Sequence, residues 1–82
     1  MQENEIYERL TKIFRDVLDD ESLVLRPDMS AADVDGWDSF NHINLVLAIE
    51  KALGLKFKTS ELEQMGNVGD MVGLIRQKLG TA

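Results

Sequence analysis

The sequence predicts an all-α protein, a small four-helix bundle with three main helices and one short one. Three segments place apolar residues three and four positions apart, which is the spacing of one face of a helix. A chain of 82 residues buries only about 60–65% of the surface that its unfolded form exposes, so it has one modest core. We therefore expect a single domain over residues 1–82, with its core at about 3–79.

The first helix is predicted at about residues 3–18. Six apolar residues share one stripe in this segment: Ile6, Leu10, Ile13, Phe14, Val17 and Leu18. The segment from Asp19 to Asp38 is long for a loop in so small a domain, and Pro27 breaks any helix within it. Five apolar side chains are expected to pin this loop to the core, namely Leu23, Val24, Leu25, Met29 and Val34. Ser30 and Asp33 are spaced to cap one short helical turn.

The second helix is predicted from Ser39 to Leu53, with Gly54 as a left-handed C-cap. Its apolar side consists of Ile43, Val46, Leu47, Ile49 and Leu53, which we assign to the core. Asp38 is expected to be the N-cap, with its carboxylate accepting from the backbone amide near Asn41. Ser39 is then the first helical residue and points outward, so an anionic group on its oxygen would meet unpaired amides and the positive end of the helix dipole.

Two further helices follow a short extended piece, Leu55 to Lys58. The run Ser60-Glu61-Leu62-Glu63 predicts a capping box that opens a brief third helix, which Gly66 ends. Asn67 is expected to cap the last helix, and Gly80 to stop it. The buried face of that helix should contain Val68, Met71, Val72, Ile75 and Leu79. Gly73 lies inside it at a cost of about 1 kcal/mol relative to Ala, which predicts a close helix approach or a cavity.

Charge is spread unevenly along the chain. The net charge is −6, and residues 16–38 contain eight acidic residues and one basic residue, a local charge of −7. Such a surface repels phosphates, so nucleic acid is not an expected ligand. Basic protein surfaces are the expected partners, because complementary charge speeds encounter and fixes orientation. The alternative is that the acidity only keeps a small domain in solution.

Several classes of site and location are excluded by the sequence. The chain has no cysteine and one histidine, so neither a disulfide framework nor a standard zinc site is expected. With Gly36 as the sixth residue of a calcium-binding loop, Ala31 and His42 would stand where acids are required, so no metal site is predicted. Residues 1–10 carry four charges and no apolar run, and no membrane-spanning segment is present, which predicts a cytoplasmic protein with no membrane partner.

The motif Asp38-Ser39-Phe40 resembles that of the acyl carrier protein family, in which the serine of an Asp-Ser-Leu motif opens the second helix and carries 4′-phosphopantetheine. The resemblance extends over residues 3–79, through the chain length, the long loop before the serine and the order of helices. It implies a monomeric carrier that is not an enzyme and has no catalytic residue. A phosphopantetheinyl transferase would load Ser39 from coenzyme A. An acyl- or aminoacyl-activating ligase, an acyltransferase or a ketosynthase would be further partners.

Residues around Ser39 have two interpretations each. Trp37 and Phe40 are each expected either to contact a partner or the arm, or to pack within the protein. In the second case Trp37 packs onto the loop and Phe40 into the core. His42 lies beside the prosthetic group; as a base for Ser39 it would lack a third group to orient its ring, because both residues are on one helix. Ile43, Val46 and Leu47 line a channel for the cargo or belong to the core.

The second helix is less acidic than is usual in the family. Asn41 and Asn44 are neutral, and Glu50, the main acid, is offset by Lys51. With Trp37, Phe40 and His42, we expect Asn41, Asn44 and Glu50 to be partner or arm contacts. These features favour a specialised pathway, such as polyketide, nonribosomal peptide or lipid-modifying synthesis.

Other functions remain as alternatives. Housekeeping fatty-acid synthesis is the first of them, and an unmodified helical interaction module is more distant. A small serine hydrolase is disfavoured, because the context of Ser39 lacks the second glycine of a nucleophile elbow and a small bundle has little space for an oxyanion hole.

Overall fold

The computed structural model describes residues 2–79 of the chain. This part contains four α-helices and one 3₁₀ turn, joined by loops. The helices are α1 (Glu3–Leu18), α2 (Ser39–Leu53), α3 (Thr59–Glu63) and α4 (Val68–Lys78), and the 3₁₀ turn is Ala31–Asp33. No strand is present between residues 2 and 79. The predicted all-α class is therefore confirmed, and α1 and α2 have the predicted bounds.

The core lies where α1 packs against α2 and α4. The fully buried side chains are Ile6, Leu10, Phe14, Leu45, Ile49, Val68, Met71 and Ile75. Burial of each such side chain contributes about 1.5–3 kcal/mol relative to leaving it in water. This apolar contact holds α2, which begins at Ser39, against α1.

The long loop between α1 and α2 is packed against this core. As predicted, Leu23, Leu25, Met29 and Val34 are buried. The prediction for Val24 is wrong, because 65% of its surface is exposed. Successive side chains of a non-helical segment point to opposite sides, so a residue between Leu23 and Leu25 faces water.

The loop is also tied to its neighbours by hydrogen bonds. The backbone N–H groups of Val68 and Gly69 donate to the carbonyl oxygens of Met29 (2.8 Å) and Pro27 (2.9 Å). The first amides of a helix have no partner within that helix, so the loop satisfies two of those in α4. A Cβ atom at Gly69 would lie 3.0 Å from the oxygen of Pro27, whereas one at Gly73 would meet nothing within 4 Å. Of the two explanations predicted for Gly73, the close approach is therefore wrong and occurs at Gly69, while Gly73 does line a surface cavity of about 320 Å³.

The helix ends follow the predicted capping chemistry at Gly54, Asn67 and the 3₁₀ turn, and also at Asp38 of the site described below. Gly54 has φ of 68° at the end of α2, and Asn67 Oδ1 accepts from the N–H of Asp70 at 2.8 Å at the start of α4. Ser30 and Asp33 are bonded at the 3₁₀ turn.

The predicted capping box of α3 is wrong. Glu61, not Glu63, accepts a backbone hydrogen bond, and it does so from Lys58 at 2.7 Å, so the N-cap is Lys58 and α3 begins two residues earlier than a box starting at Ser60 predicts. It also ends at Glu63, before Gly66. The stop predicted at Gly80 lies outside the described residues. Within residues 2–79 no helix has both the length and the apolar run that crossing a membrane requires.

Candidate functional site

Ser39 is the first residue of α2 and its side chain is exposed, as predicted. Asp38 precedes it in an extended conformation, and the Asp38 carboxylate accepts from the backbone N–H of Asn41 at 2.8 Å. The Asn41 side chain donates in turn to the carbonyl oxygen of Gly36 at 2.6 Å. These two bonds fix the start of the helix relative to the end of the loop.

A sharp turn before α2 brings Trp37 into the protein. Gly36 has φ of +84°, a conformation that residues with a side chain rarely adopt, and the N–H of Trp37 donates to the carbonyl oxygen of Val34 at 3.2 Å. Trp37 is buried, with 6% of its surface exposed, and its ring meets that of Phe14 edge to face at 5.0 Å. The structure shows the packing considered for Trp37, and its contact with a partner or the arm stays a prediction.

His42 is oriented by Trp37. The indole Nε1–H of Trp37 donates to Nδ1 of His42 at 3.1 Å, and the two rings are nearly parallel with centroids 6.1 Å apart. The expectation that no group orients the His42 ring is therefore wrong. Because Nδ1 is the acceptor, the proton of the neutral ring lies on Nε2. Burial lowers the pKa of His42 below its usual value.

This arrangement does not suit a catalytic base. A base is usually oriented by a group that accepts from its ring and so stabilises the protonated form. Here Trp37 donates to the ring and stabilises the neutral form of His42 instead. The hydrolase alternative therefore loses its one potential base.

A groove of about 500 Å³ runs past Ser39 between the 3₁₀ turn, the start of α2 and α3. It is lined by Ala31, Trp37, Asp38, Ser39, His42, Leu62, Met65 and Gly66. Its volume is in the range of small-molecule sites, about 300–1,000 Å³. The lining offers a hydroxyl and an imidazole together with the apolar side chains of Leu62 and Met65. A slender arm with an anionic end at Ser39 fits this combination.

The outward face of α2 is apolar, which the sequence prediction missed. Ile43 and Leu47 are 59% and 58% exposed, so their assignment to the core is wrong, while Val46 is buried as predicted. Phe40 is 73% exposed, which contradicts core packing, and its contact with a partner or the arm stays a prediction. The core position that was missed is Leu45, which is fully buried. Its spacing of four to Ile49 was the available signal.

The polar residues of α2 bond within the protein. Asn44 donates to the side-chain oxygen of Asn41 at 3.3 Å. Glu50 accepts from the backbone N–H of Phe57 at 2.8 Å, so the one acidic residue of α2 has a structural partner. Within residues 2–79, no group of three His, Asp or Glu side chains is placed to hold a metal ion.

Comparison with known proteins identifies the family. The family described as "Phosphopantetheine attachment site" matches residues 8–75. The acyl carrier protein of Guillardia theta is 32% identical over 79 residues, which are 96% of this chain and 98% of that protein. The acyl carrier protein of Thermotoga maritima is 30% identical over 76 residues, which are 93% of this chain and 94% of that protein.

A solved structure agrees with these relatives. The solution structure of a holo acyl carrier protein from Geobacter metallireducens superposes with a TM-score of 0.86 at 44% identity. The match covers 92% of this chain and 86% of that protein's chain. The chain therefore belongs to the acyl carrier protein family, which is defined by a phosphopantetheine attachment site and comprises carriers rather than enzymes.

Proposed function

We propose that Ser39 is the attachment residue and that the chain presents acyl or aminoacyl thioesters to the enzymes of a specialised pathway. The observation that carries the first part is the exposed hydroxyl of Ser39 at the start of α2, on the edge of the groove. Two other serines are less suitable, because the hydroxyls of Ser22 and Ser30 bond to Asp20 (2.7 Å) and Asp33 (3.2 Å). Ser60 lies within the five-residue helix α3.

The residues around Ser39 can hold an anion attached to its oxygen. The backbone N–H groups of Ser39 and Phe40 have no acceptor within residues 2–79, since the carboxylate of Asp38 bonds to Asn41 and its carbonyl to His42. Both N–H groups lie at the positive end of the α2 dipole, which favours negative charge. These features support a phosphodiester at this position.

The arm, once attached, supplies a terminal thiol that holds the cargo as a thioester. The chain contributes the tether and the surfaces that partner enzymes bind. Tethering raises the effective concentration of the cargo at each enzyme without any reaction by the carrier. The transferase that loads Ser39, and then a ligase, acyltransferase or ketosynthase, are the proposed partners.

The proposal of a specialised pathway rests on the outward face of α2. Its exposed side chains next to Ser39 are apolar, namely Phe40, Ile43 and Leu47. Glu50 is the one acidic residue of the helix, and it bonds to Phe57, while Lys51 is exposed. A partner with a basic docking site would find little charge to pair with on α2, so we expect partners whose docking site is mainly apolar.

Housekeeping fatty-acid synthesis is the alternative, and one observation favours it. The segment before Ser39, residues 16–38 at the end of α1 and in the loop, carries a net charge of −7, which can attract a basic enzyme surface even where α2 does not. An unmodified helical interaction module is the distant alternative.

Loading with a promiscuous transferase tests the attachment site. Incubation with coenzyme A and magnesium should add the mass of one phosphopantetheine to the intact protein, and Ser39→Ala should abolish the addition. Ser60→Ala is the matched control and should load at the wild-type rate. Addition to Ser22, Ser30 or Ser60, mapped by fragmentation, would contradict the assignment, and no addition at all would favour the unmodified interaction module.

A further inference from the structure

We propose that His42 is a positioning residue for the attached arm, donating a hydrogen bond from its Nε2–H to an oxygen of the phosphate on Ser39. This inference rests on the proposed attachment at Ser39 and adds a second residue to that site. Trp37 would act behind His42 by fixing the tautomer and the orientation of its ring. The contact is between this chain's imidazole and the anionic end of the arm.

The hydrogen bond from Trp37 fixes the tautomer of His42. His42 Nδ1 accepts the indole N–H of Trp37 at 3.1 Å, so the proton of the neutral ring is on Nε2. That Nε2–H has no acceptor among residues 2–79, although His42 is half-buried. A half-buried donor beside a groove gains free energy when an acceptor arrives. Of the arm's groups, the phosphate offers the strongest acceptors.

His42 is close enough to Ser39 to contact a phosphate attached there. Ser39 and His42 are three residues apart on α2, which places their side chains on the same face with Cβ atoms about 5–6 Å apart. Both line the groove. A phosphorus atom bonded to Ser39 Oγ lies one bond beyond that oxygen, and the phosphate oxygens lie two bonds beyond it, closer to His42. An imidazole at this distance can meet one of those oxygens.

The imidazole ring of His42 is held in place by the protein. Trp37 is buried and its ring is held edge to face against Phe14 at 5.0 Å, so the indole N–H has a fixed direction. His42 stacks on the same indole at an interplanar angle of 22°. The imidazole is therefore held before the arm is attached, and less conformational entropy is lost when the contact forms. Asp38, the other titratable residue that lines the groove, is engaged as the N-cap.

Nuclear magnetic resonance on the loaded protein tests this directly. The chain has a single histidine, so every imidazole signal belongs to His42. We expect ¹⁵N shifts of the Nε2–H tautomer in the unloaded protein, and an increase in the His42 pKa on loading, because an anion stabilises the charged ring. A phosphodiester does not titrate near neutral pH. The ³¹P resonance of the loaded protein should therefore move with the protonation of His42.

Variants distinguish a positioning contact from mere proximity. His42→Leu should remove the pH dependence of the ³¹P resonance and broaden or shift the signals of the arm. His42→Gln retains an N–H donor near the position of Nε2, so it should restore the wild-type ³¹P position without the pH dependence. Trp37→Phe keeps an aromatic ring but removes the indole N–H, and both tautomers of His42 should then appear.

The result that overturns the inference is a fully loaded wild type whose ³¹P resonance does not change with pH through the His42 pKa and is unaffected by His42→Leu. Failure of the proposed function looks different, since then no phosphopantetheine mass is found on Ser39. The His42 variants change a half-exposed side chain, so loading and folding can both be verified before the spectra are compared.

Discussion

The side-chain carboxylate of Glu50 accepts a hydrogen bond from the backbone N–H of Phe57 at 2.8 Å. The carbonyl oxygen of Glu50 also accepts from the N–H groups of Gly54 (2.9 Å) and Leu55 (3.2 Å). One residue thus joins the end of α2 to the chain that leads into α3. The acidic residue that the sequence predicted to contact partners thus has a structural partner, and α2 contains no other carboxylate.

Replacing Glu50 should therefore reduce stability. Glu50→Ala leaves the half-buried N–H of Phe57 without its acceptor, and we expect a loss of about 1 kcal/mol in the free energy of unfolding. Glu50→Gln retains a side-chain oxygen and should lose less. Urea denaturation measures both, and equal losses for the two variants would show that the hydrogen bond contributes nothing.

The N-caps of α2 and α4 form a matched pair. Asp38 and Asn67 each accept from a backbone N–H three residues on, both at 2.8 Å. Each change to alanine should cost about 1 kcal/mol. Only Asp38→Ala alters the residue next to Ser39, so it alone should slow loading by the transferase. The rate of loading and the urea midpoint are measured for both, and equal loading rates would contradict a role of Asp38 at the site.

Two glycines of α4 should respond in opposite directions to alanine. Gly73 has open space at its Cβ position, so Gly73→Ala should stabilise the protein by up to about 1 kcal/mol through helix propensity. At Gly69 a Cβ would lie 3.0 Å from the oxygen of Pro27 and 3.3 Å from Oδ1 of Asn67, so Gly69→Ala should destabilise it. Thermal denaturation compares them, and stabilisation by both would mean that the loop moves aside without cost.

The ion pair between α3 and α4 should make stability depend on acid pH. Lys78 Nζ lies 2.7 Å from Glu61 Oε1, and this hydrogen bond lowers the pKa of Glu61 below its ordinary value of 4.5. A lowered carboxyl pKa contributes stability above the unfolded pKa, and the contribution is lost as pH falls through the folded pKa. Lys78→Met should thus be less stable than wild type at pH 7. The difference should shrink as pH falls below 4.5, the ordinary pKa of this carboxyl, and a difference independent of pH would contradict the pairing.

Much of the fold followed from the sequence, because helical spacing and caps are local signals. The bounds of α1 and α2, the caps at Asp38 and Asn67 and the exposure of Ser39 needed only neighbouring residues. The start of α3 was misplaced because both Ser60–Glu63 and Lys58–Glu61 have the spacing of a capping box, and Lys78 of α4 decides between them by pairing with Glu61. A contact between two helices cannot be predicted from the spacing of neighbouring residues.

The site was predictable at its centre and not at its edges. The Asp38-Ser39-Phe40 motif points to Ser39 as the proposed attachment residue, whereas the exposure of Ile43 and Leu47 depends on which side of α2 meets α1. The bond between Trp37 and His42 depends on the turn at Gly36, which carries the indole under the helix. The sequence places the two residues five apart but gives no direction to either ring.

The last prediction concerns the choice of partner enzymes. Because Glu50 is engaged and Asn44 and Lys51 offer no negative charge, the loaded wild type should be a poor substrate for fatty-acid synthase enzymes that dock on an acidic helix. Asn44→Glu with Lys51→Glu adds two carboxylates and removes a cation beside the apolar residues of α2. Charges at the rim of an interface act mainly on association, so the double variant should be used about tenfold faster, with a stronger dependence on salt.

The comparison is malonyl transfer and condensation on the loaded proteins, beside a standard fatty-acid carrier. Asn4→Glu with Lys12→Glu on α1 is the matched control, because it changes the net charge equally but on exposed residues of another helix. An equal gain in the control would assign the effect to net charge rather than to the docking face. A wild type that already matches the standard carrier would contradict the specialised pathway and favour housekeeping fatty-acid synthesis, since the neutral face of α2 would then reject no partner.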